Sequence, residues 1–156
     1  MSVLARLQPE LIRVEPPWRT FPETVSGLVA LLVRAGSIPE GSAAAAVGAV
    51  AARESEGSTA LLDIHAGVPH ARFDGVERTA LALAVSANGL FEAVPTVPIQ
   101  IVALVLSPLA ARAEHLNVLA EMATLLRSAE LRAALLAARD GGDVLAALRH
   151  HARPTP

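Results

Sequence analysis

The spacing of hydrophobic residues changes several times along the chain, and each change predicts a new element. From Glu23 to Ala35 the apolar residues recur at helical spacing, and Gly36 follows as a stop signal. An alanine-rich segment after Pro39 predicts a second helix over Ser42–Arg53. The last third of the chain predicts three further helices, over Ala110–Leu126, Ala129–Ala138 and Val144–His150. In the first of these, we expect Leu116, Leu119, Met122, Ala123 and Leu126 to share one apolar face.

The middle of the chain has the pattern of buried β-strands. Apolar runs of strand length cover Ala60–Ile64, Arg78–Ser86 and Thr96–Leu106, and Asn88-Gly89 is a tight-turn signal between the last two. Leu90-Phe91 can begin another short strand. Nearly continuous apolar strands are typical of a sheet that is covered on both faces. Helices, then strands, then helices predict a layered α/β domain.

Composition narrows the classes of function. The 156 residues suit one domain, with a core over about residues 9–150 and a frayed tail at 151–156. A hydrophobic share of 53%, with 18% charged residues, argues against a disordered chain, and a net charge of −2 argues against nucleic-acid binding. The chain has no cysteine and no lysine, which excludes thiol nucleophiles, Cys-ligated zinc and Schiff-base chemistry.

Neither targeting nor membrane insertion is predicted. The N-terminal segment has no long apolar region, because Gln8, Pro9 and Glu10 interrupt it. The most apolar stretch, 97–111, is 15 residues long and contains polar and proline residues, whereas a bilayer span needs roughly 20. We therefore expect a protein of the cytoplasm.

Five histidines are the main candidates for chemistry. His150 and His151 lie near the end of the last predicted helix, where a positive group is favourable and a structural role is expected. His65 and His70 bracket a segment that follows a strand-like run. There Gly67 permits unusual backbone angles, and the proline before His70 fixes the direction of the chain. The local pattern leaves both a catalytic and a structural role open for this pair.

His115 begins the apolar face of a helix that follows a strand and a turn at Ser107-Pro108. If that strand is central, the start of the helix lies at the edge of the sheet where α/β ligand sites gather. No spacing among His65, His70 and His115 resembles a known metal-binding set, so no metal is expected. A catalytic serine triad is disfavoured because the chain lacks a nucleophile-elbow signature.

A series of short motifs follows a fixed order along nearly the whole chain. They are L-I-R-V at Leu11, A-G at Ala35, A-A-R-E ending at Glu54, Ser58-Thr59, G-V-P-H-A-R from Gly67, V-L-S-P from Val105 and E-H-L-x-V-L from Glu114. Together they resemble the enzyme IIA domain of the mannitol/fructose/nitrogen class in the bacterial phosphoenolpyruvate-dependent phosphotransferase system. The resemblance covers about residues 9–150. It implies a three-layer α/β fold with a mixed, about five-stranded sheet and helices on both faces.

The resemblance also implies an activity. His70 is then the residue that accepts a phosphoryl group from the phosphocarrier protein HPr or its nitrogen-branch paralogue, with His115 and Arg53 as the other active-site residues. In transporting members the group passes on to an enzyme IIB partner, whereas nitrogen-branch members are stand-alone regulators. Thr59, Gly67, Arg72 and His65 are expected to support the phosphate pocket.

The chemistry is consistent with these residue types. A neutral imidazole can attack phosphorus, and arginine or a second imidazole can hold the phosphoryl oxygens. No cofactor is required if the leaving group is another phosphohistidine. An exposed apolar rim for the donor is expected at Val68, Phe73 and Leu109.

One segment departs from the family. Members usually carry a glycine-rich run before the P-H motif, whereas this chain has ALLDIHAG over Ala60–Gly67. Leu62 and Ile64 could therefore close or shift the phosphate site. Our leading hypothesis is a stand-alone, regulatory phosphocarrier, because the length leaves no residues for further domains. The alternatives are a degenerate, non-catalytic interaction module with the same fold and a small-ligand sensor.

Overall fold

The computed structural model describes residues 3–152 and has the layered α/β architecture that the sequence predicts. In this part of the chain the α-helices are α1 (Phe21–Arg34), α2 (Ala43–Glu56), α3 (Arg112–Leu126), α4 (Ala129–Ala137) and α5 (Gly141–Ala152). The strands are β1 (Ile12–Val14), β2 (Ala60–Leu61), β3 (Ala66–Gly67), β4 (His70–Arg72), β5 (Ala80–Val85), β6 (Phe91–Val94), β7 (Val97–Ile99) and β8 (Ile101–Ser107). Short 3-10 turns cover Val3–Arg6, Pro9–Leu11, Glu40–Ser42 and Leu62–Ile64.

The main sheet is built around β8. On one side of β8 lies β5, antiparallel, and β1 runs parallel to β5 at the edge. On the other side β3 and β4 follow one another, both parallel to β8, and β2 pairs antiparallel with β3. Because β3 and β4 share one lateral position, the sheet is mixed and five strands wide, as expected. A separate hairpin of β6 and β7 lies outside this sheet.

Helices cover both faces of the sheet. Every residue of β5 and β8 is buried, which requires cover on each side. α1 packs against β5 and α2, whereas α3 packs against β8 and α5 against β1. The prediction of a three-layer architecture is therefore confirmed.

Some boundaries differ from the sequence prediction. The run Thr96–Leu106 is two strands, because Gln100 leaves the ladder and its N–H donates to the His65 carbonyl at 2.8 Å. Only Ala60–Leu61 of the run Ala60–Ile64 is a strand, and a 3-10 turn follows it. α5 begins at Gly141, because Asp140 accepts a hydrogen bond from the Asp143 N–H at 2.9 Å.

The C-terminal end also differs from the expectation. α5 continues through the first two residues of the segment that was expected to fray, His151 and Ala152. The rest of that segment, 153–156, lies outside the described residues. Among the helices that are described, none is both long enough and apolar enough to cross a membrane.

Candidate active site

His70 begins β4 and is held by the backbone around it. The Pro69 carbonyl accepts the Val105 N–H at 3.0 Å, which fixes the chain just before His70 pairs with Val105. The Nδ1 atom of His70 lies 2.8 Å from the Val68 carbonyl oxygen. A carbonyl oxygen only accepts, so Nδ1 carries the hydrogen. In the neutral form of the ring, the lone pair is therefore on Nε2.

His115 lies in the first turn of α3, beside His70. The two ring centroids are 5.3 Å apart and the ring planes are inclined at 61°. The side chain of His115 is only 5% exposed, and its Nδ1 lies 2.7 Å from the Ser107 hydroxyl. Burial, followed by the charges of His70 and Arg72, lowers the pKa of His115 to about 4. His115 is therefore a neutral imidazole at physiological pH.

The register of the sheet explains why these residues meet. His70 pairs with Val105, and Arg72 pairs with Ser107, the last residue of β8. Residues two apart on a strand share a face, so His70, Arg72 and Ser107 lie on the same side of the sheet. The chain then turns after Ser107 into α3, which delivers His115 to that side.

The two candidate arginines have different surroundings. Arg72 is exposed, its Nη1 donates to the Leu109 carbonyl at 2.9 Å, and its charge acts on His115. Arg53 lies in the last turn of α2, which packs against β4, and its Nη1 donates to the Gly57 carbonyl at 3.1 Å. The other N–H groups of Arg53 have no hydrogen-bond partner within residues 3–152. Both guanidinium groups thus keep donors available for an anion.

Thr59 connects the end of α2 to the segment before His70. The Glu54 carboxylate accepts both the N–H of Thr59, at 2.9 Å, and its hydroxyl, at 2.7 Å. The Thr59 carbonyl in turn accepts the Val68 N–H at 3.4 Å. Thr59 therefore supports the backbone that presents His70, and its hydroxyl is already bound.

His65 and Gly67 do not have the local features expected from the sequence. His65 ends the 3-10 turn between β2 and β3 with φ of 54°, and its Nδ1 lies 2.9 Å from the Pro98 carbonyl oxygen. Gly67 lies in regular extended β3, where an added Cβ would meet only ordinary contacts at 3.6 Å or more. Gly67 therefore does not use the unusual backbone angles that glycine permits, because its strand is regular.

The strand pairing separates His65 from the histidine pair. Ala66, next to His65, pairs with Ile101, whereas His70 pairs with Val105. These partners are four residues apart on one strand, which corresponds to about 13 Å. The structure does not bring His65 into ring contact with His70 or His115.

The apolar rim of the site is only partly as expected. Leu109 is 49% exposed and lies beside Arg72. Val68 is buried in the core, and Phe73 is half-buried against it, so the expectation of an exposed Val68 is wrong. Leu116 is 53% exposed, because the buried face of α3 contains His115 and Val118 and keeps only Met122 and Leu126 of the face expected from the sequence. Leu109 and Leu116 form the exposed rim near the two histidines.

Comparison with known proteins supports one family. The fructose-specific EIIA component of the phosphotransferase system of Haloferax volcanii is 33% identical over 130 residues, which cover 83% of this chain and 82% of that protein. The nitrogen regulatory protein IIA-Ntr of Neisseria meningitidis has a TM-score of 0.79 at 24% identity and covers 94% of this chain and 98% of its own. Enzyme IIA mannitol of Escherichia coli, solved in complex with phosphorylated enzyme IIB mannitol, has a TM-score of 0.76 at 20% identity, over 92% of this chain and 97% of its own.

The family model described as "Phosphoenolpyruvate-dependent sugar phosphotransferase system, EIIA 2" matches residues 6–151. This match extends over all the helices and strands that carry the two histidines and both arginines. The chain therefore belongs to the EIIA type 2 family of the phosphoenolpyruvate-dependent sugar phosphotransferase system.

Proposed function

We propose that this protein carries a phosphoryl group on Nε2 of His70 and receives it from an HPr-type phosphocarrier protein. Membership of the EIIA type 2 family supports a phosphocarrier role. The observation that carries the proposal is the hydrogen bond from His70 Nδ1 to the Val68 carbonyl, 2.8 Å long, next to a second imidazole. The first contact assigns the lone pair to Nε2, and the second supplies a polar neighbour for the incoming group.

The transfer needs no proton movement at His70. The Nε2 lone pair attacks phosphorus, and the P–N bond of the donor's phosphohistidine breaks, returning its electron pair to the donor imidazole. The His70 ring gains positive charge as the new P–N bond forms. Its Nδ1–H stays on the Val68 carbonyl, which stabilises that charge. Passage of the group to an acceptor is the same step in the opposite direction.

Neighbouring groups stabilise the charge on the phosphoryl oxygens. His115 is the adjacent ring, and Arg72 is close enough for its charge to act on His115. Arg53, at the end of the helix that packs against β4, is proposed as a second guanidinium donor. Planar guanidinium groups match phosphate oxygens well.

The exposed leucines provide the docking surface for protein partners. Leu109 and Leu116 are half-exposed: Leu109 lies beside Arg72, which is on the strand of His70, and Leu116 follows His115 in α3. The mannitol relative forms a complex with a phosphorylated enzyme IIB. We propose an enzyme IIB-type protein or a regulatory target as the acceptor in this system.

The altered segment Ala60–Gly67 is compatible with activity. It forms a hairpin whose tip is bound away from the histidine pair: Asp63 forms a 2.8 Å ion pair with Arg127, and His65 binds Pro98. Leu62 is 42% exposed, whereas Ile64 is buried. The additional bulk therefore extends the edge of the sheet instead of filling the site, which favours the phosphocarrier over the degenerate interaction module.

The test is phosphorylation in a reconstituted system. The protein is incubated with phosphoenolpyruvate, enzyme I and HPr, and its mass is measured under alkaline conditions that preserve phosphohistidine. We expect the mass to increase by one phosphoryl group only when all three components are present. Binding of phosphorylated HPr without any change in mass would contradict the proposal and support the interaction module.

A further inference from the structure

A buried hydrogen-bond chain reaches His115 from the side of the sheet. The Ser107 hydroxyl lies 2.7 Å from His115 Nδ1, and the Thr79 hydroxyl lies 3.0 Å from the Ser107 oxygen. Ser107 is fully buried and Thr79 is 4% exposed. Because Ala80 pairs with Leu106 in the antiparallel ladder, Thr79 lies opposite Ser107 at the end of the two strands. The register of the sheet therefore brings Thr79 and Ser107 into hydrogen-bond contact.

The number of hydroxyl hydrogens determines which tautomer of His115 these hydrogen bonds favour. Each hydroxyl group has one hydrogen to donate. When Thr79 donates to the Ser107 oxygen, the hydrogen of Ser107 is left for His115 Nδ1. Nδ1 is then the acceptor, and the neutral ring carries its hydrogen on Nε2.

The other ring nitrogen of His115 is open. Every fully buried side-chain nitrogen and oxygen within the described part of the chain has a hydrogen-bond partner. In that part, His115 Nε2 has no partner, so it is an atom that solvent reaches. With Nδ1 occupied by Ser107, Nε2 is the nitrogen left for a group carried by the neighbouring His70.

A carboxylate competes for the hydrogen of Thr79. The Thr79 side chain, as a potential donor, and the charge of Arg6 lower the pKa of the Glu114 carboxyl. Arg6 Nη2 lies 3.7 Å from the Glu114 carboxylate. If Thr79 donates to Glu114, Ser107 must donate to Thr79 and His115 Nδ1 must donate to Ser107, which removes the hydrogen from Nε2. The Thr79 hydroxyl thus selects the tautomer of His115.

We propose that Ser107 and Thr79 are positioning residues that hold His115 as the Nε2–H tautomer, so that the neutral ring donates a hydrogen bond to the phosphoryl group on His70. This inference rests on the proposed function. It states that Thr79 donates its hydroxyl hydrogen to Ser107, and that Ser107 donates its own to His115. The Glu114 carboxylate faces Arg6 Nη2 at 3.7 Å. It therefore has a charged partner other than the Thr79 hydroxyl, whose hydrogen bond goes to Ser107 at 3.0 Å.

The test measures the tautomer of His115 directly, by the nitrogen chemical shifts of its imidazole in the unphosphorylated protein near pH 7.5. In the wild type we expect the Nε2–H form. Ser107→Ala and Thr79→Val should each give a mixture of tautomers and slow phosphoryl transfer from phosphorylated HPr by about tenfold to a hundredfold, with the same end point. Thr79→Ser, which keeps the hydroxyl, should restore both the tautomer and the rate.

Ser86→Ala is the matched control. Ser86 is also a buried serine next to a strand end, 1% exposed, and its hydroxyl donates to Glu15 at 2.9 Å, on a different strand pair. This variant should change neither the tautomer of His115 nor the rate. It measures the general effect of removing a buried serine hydroxyl.

Two outcomes would overturn the inference. One is an Nδ1–H tautomer in the wild type, and the other is a Ser107→Ala variant with wild-type tautomer and rate. If the wild type is never phosphorylated, the proposed function itself fails, and the tautomer measurement still reports whether the hydrogen-bond chain acts on His115. The two failures are therefore distinguishable.

Discussion

His65 and His70 lie five residues apart on the same side of β8, and their rings are held in similar ways. Each Nδ1 donates to a backbone carbonyl, that of Pro98 at 2.9 Å for His65 and that of Val68 at 2.8 Å for His70. Their surroundings differ. His70 has a second imidazole 5.3 Å away, whereas His65 ends a turn in the left-handed region with φ of 54°.

The comparison shows that two histidine rings with the same kind of backbone hydrogen bond can have different neighbours. His65 lies at the level of the first residue of β8, and its own carbonyl accepts the N–H of Gln100 at 2.8 Å. His70 lies near the carboxyl end of β8, where the chain turns into α3. In the proposed mechanism, position along the central strand therefore distinguishes His70, the proposed phosphoryl acceptor, from His65.

The largest expected effect comes from comparing His70→Ala with His65→Ala. His70→Ala should abolish phosphorylation and leave the protein folded, at a cost of about 0.5–1.5 kcal/mol of unfolding free energy, because the half-buried ring loses its hydrogen bond to Val68 but contributes little else to the core. His65→Ala should remain fully phosphorylated but lose about 0.5–1.5 kcal/mol of unfolding free energy with its hydrogen bond to Pro98. Mass measurement and urea unfolding check the two variants. Undiminished labelling of His70→Ala would transfer the role to His65.

A smaller effect is expected at Arg53. Arg53→Lys should slow phosphoryl transfer on the order of 10²-fold, because a flexible ammonium group does not reproduce the planar donor pair. Arg34→Lys is the matched control, since Arg34 also lies in the last turn of a helix, α1. Rapid-quench kinetics give the rates. If Arg53→Lys reacts like Arg34→Lys, the guanidinium of Arg53 only caps its helix through Gly57.

The low pKa of His115 predicts a pH dependence of stability. In the unfolded chain His115 has its ordinary pKa of 6.5. In the folded protein, burial and then the charges of His70 and Arg72 lower this pKa to about 4. Lowering the pH from 7 to 4.5 therefore favours the unfolded state. Over this range the free energy of unfolding of His115→Gln should fall by roughly 2 to 3 kcal/mol less than that of the wild type. Urea unfolding at both pH values measures the difference, and equal losses would contradict the buried neutral ring.

The smallest effect is expected at the rim. Leu116→Glu should raise the KM for phosphorylated HPr by about tenfold without changing thermal stability, because its side chain is exposed and adjacent to His115. Val94→Glu is the control, since Val94 is 42% exposed on the separate β6–β7 hairpin. The same KM for both variants would remove Leu116 from the docking surface.

The sequence predicted the helices and the central strands well, because their patterns are local. The period of the apolar residues indicated α1–α5 within a few residues, and Asn88-Gly89 marked a turn in which Gly89 has φ of 98°. The split at Gln100 was not predicted, because it depends on a backbone hydrogen bond to His65, 35 residues earlier in the chain.

The candidate site was predictable only in part. The motif around His70 identified one histidine, and the helix start identified His115. The hydrogen bond between Thr79 and Ser107 has no local signal in the sequence, because only the strand register brings together these two residues, which are 28 positions apart. The exposure of Leu116 was missed because a polar residue, His115, takes the inward position on α3.

NMR of the phosphorylated protein shows which nitrogen carries the phosphoryl group, proposed above to be Nε2 of His70. The protein is labelled with ¹⁵N, phosphorylated with phosphoenolpyruvate, enzyme I and HPr, and kept at alkaline pH. We predict phosphorus–nitrogen coupling at Nε2 of His70, with Nδ1 still bonded to hydrogen. A phosphoryl group on Nδ1 of His70, or on any other histidine, would contradict the account.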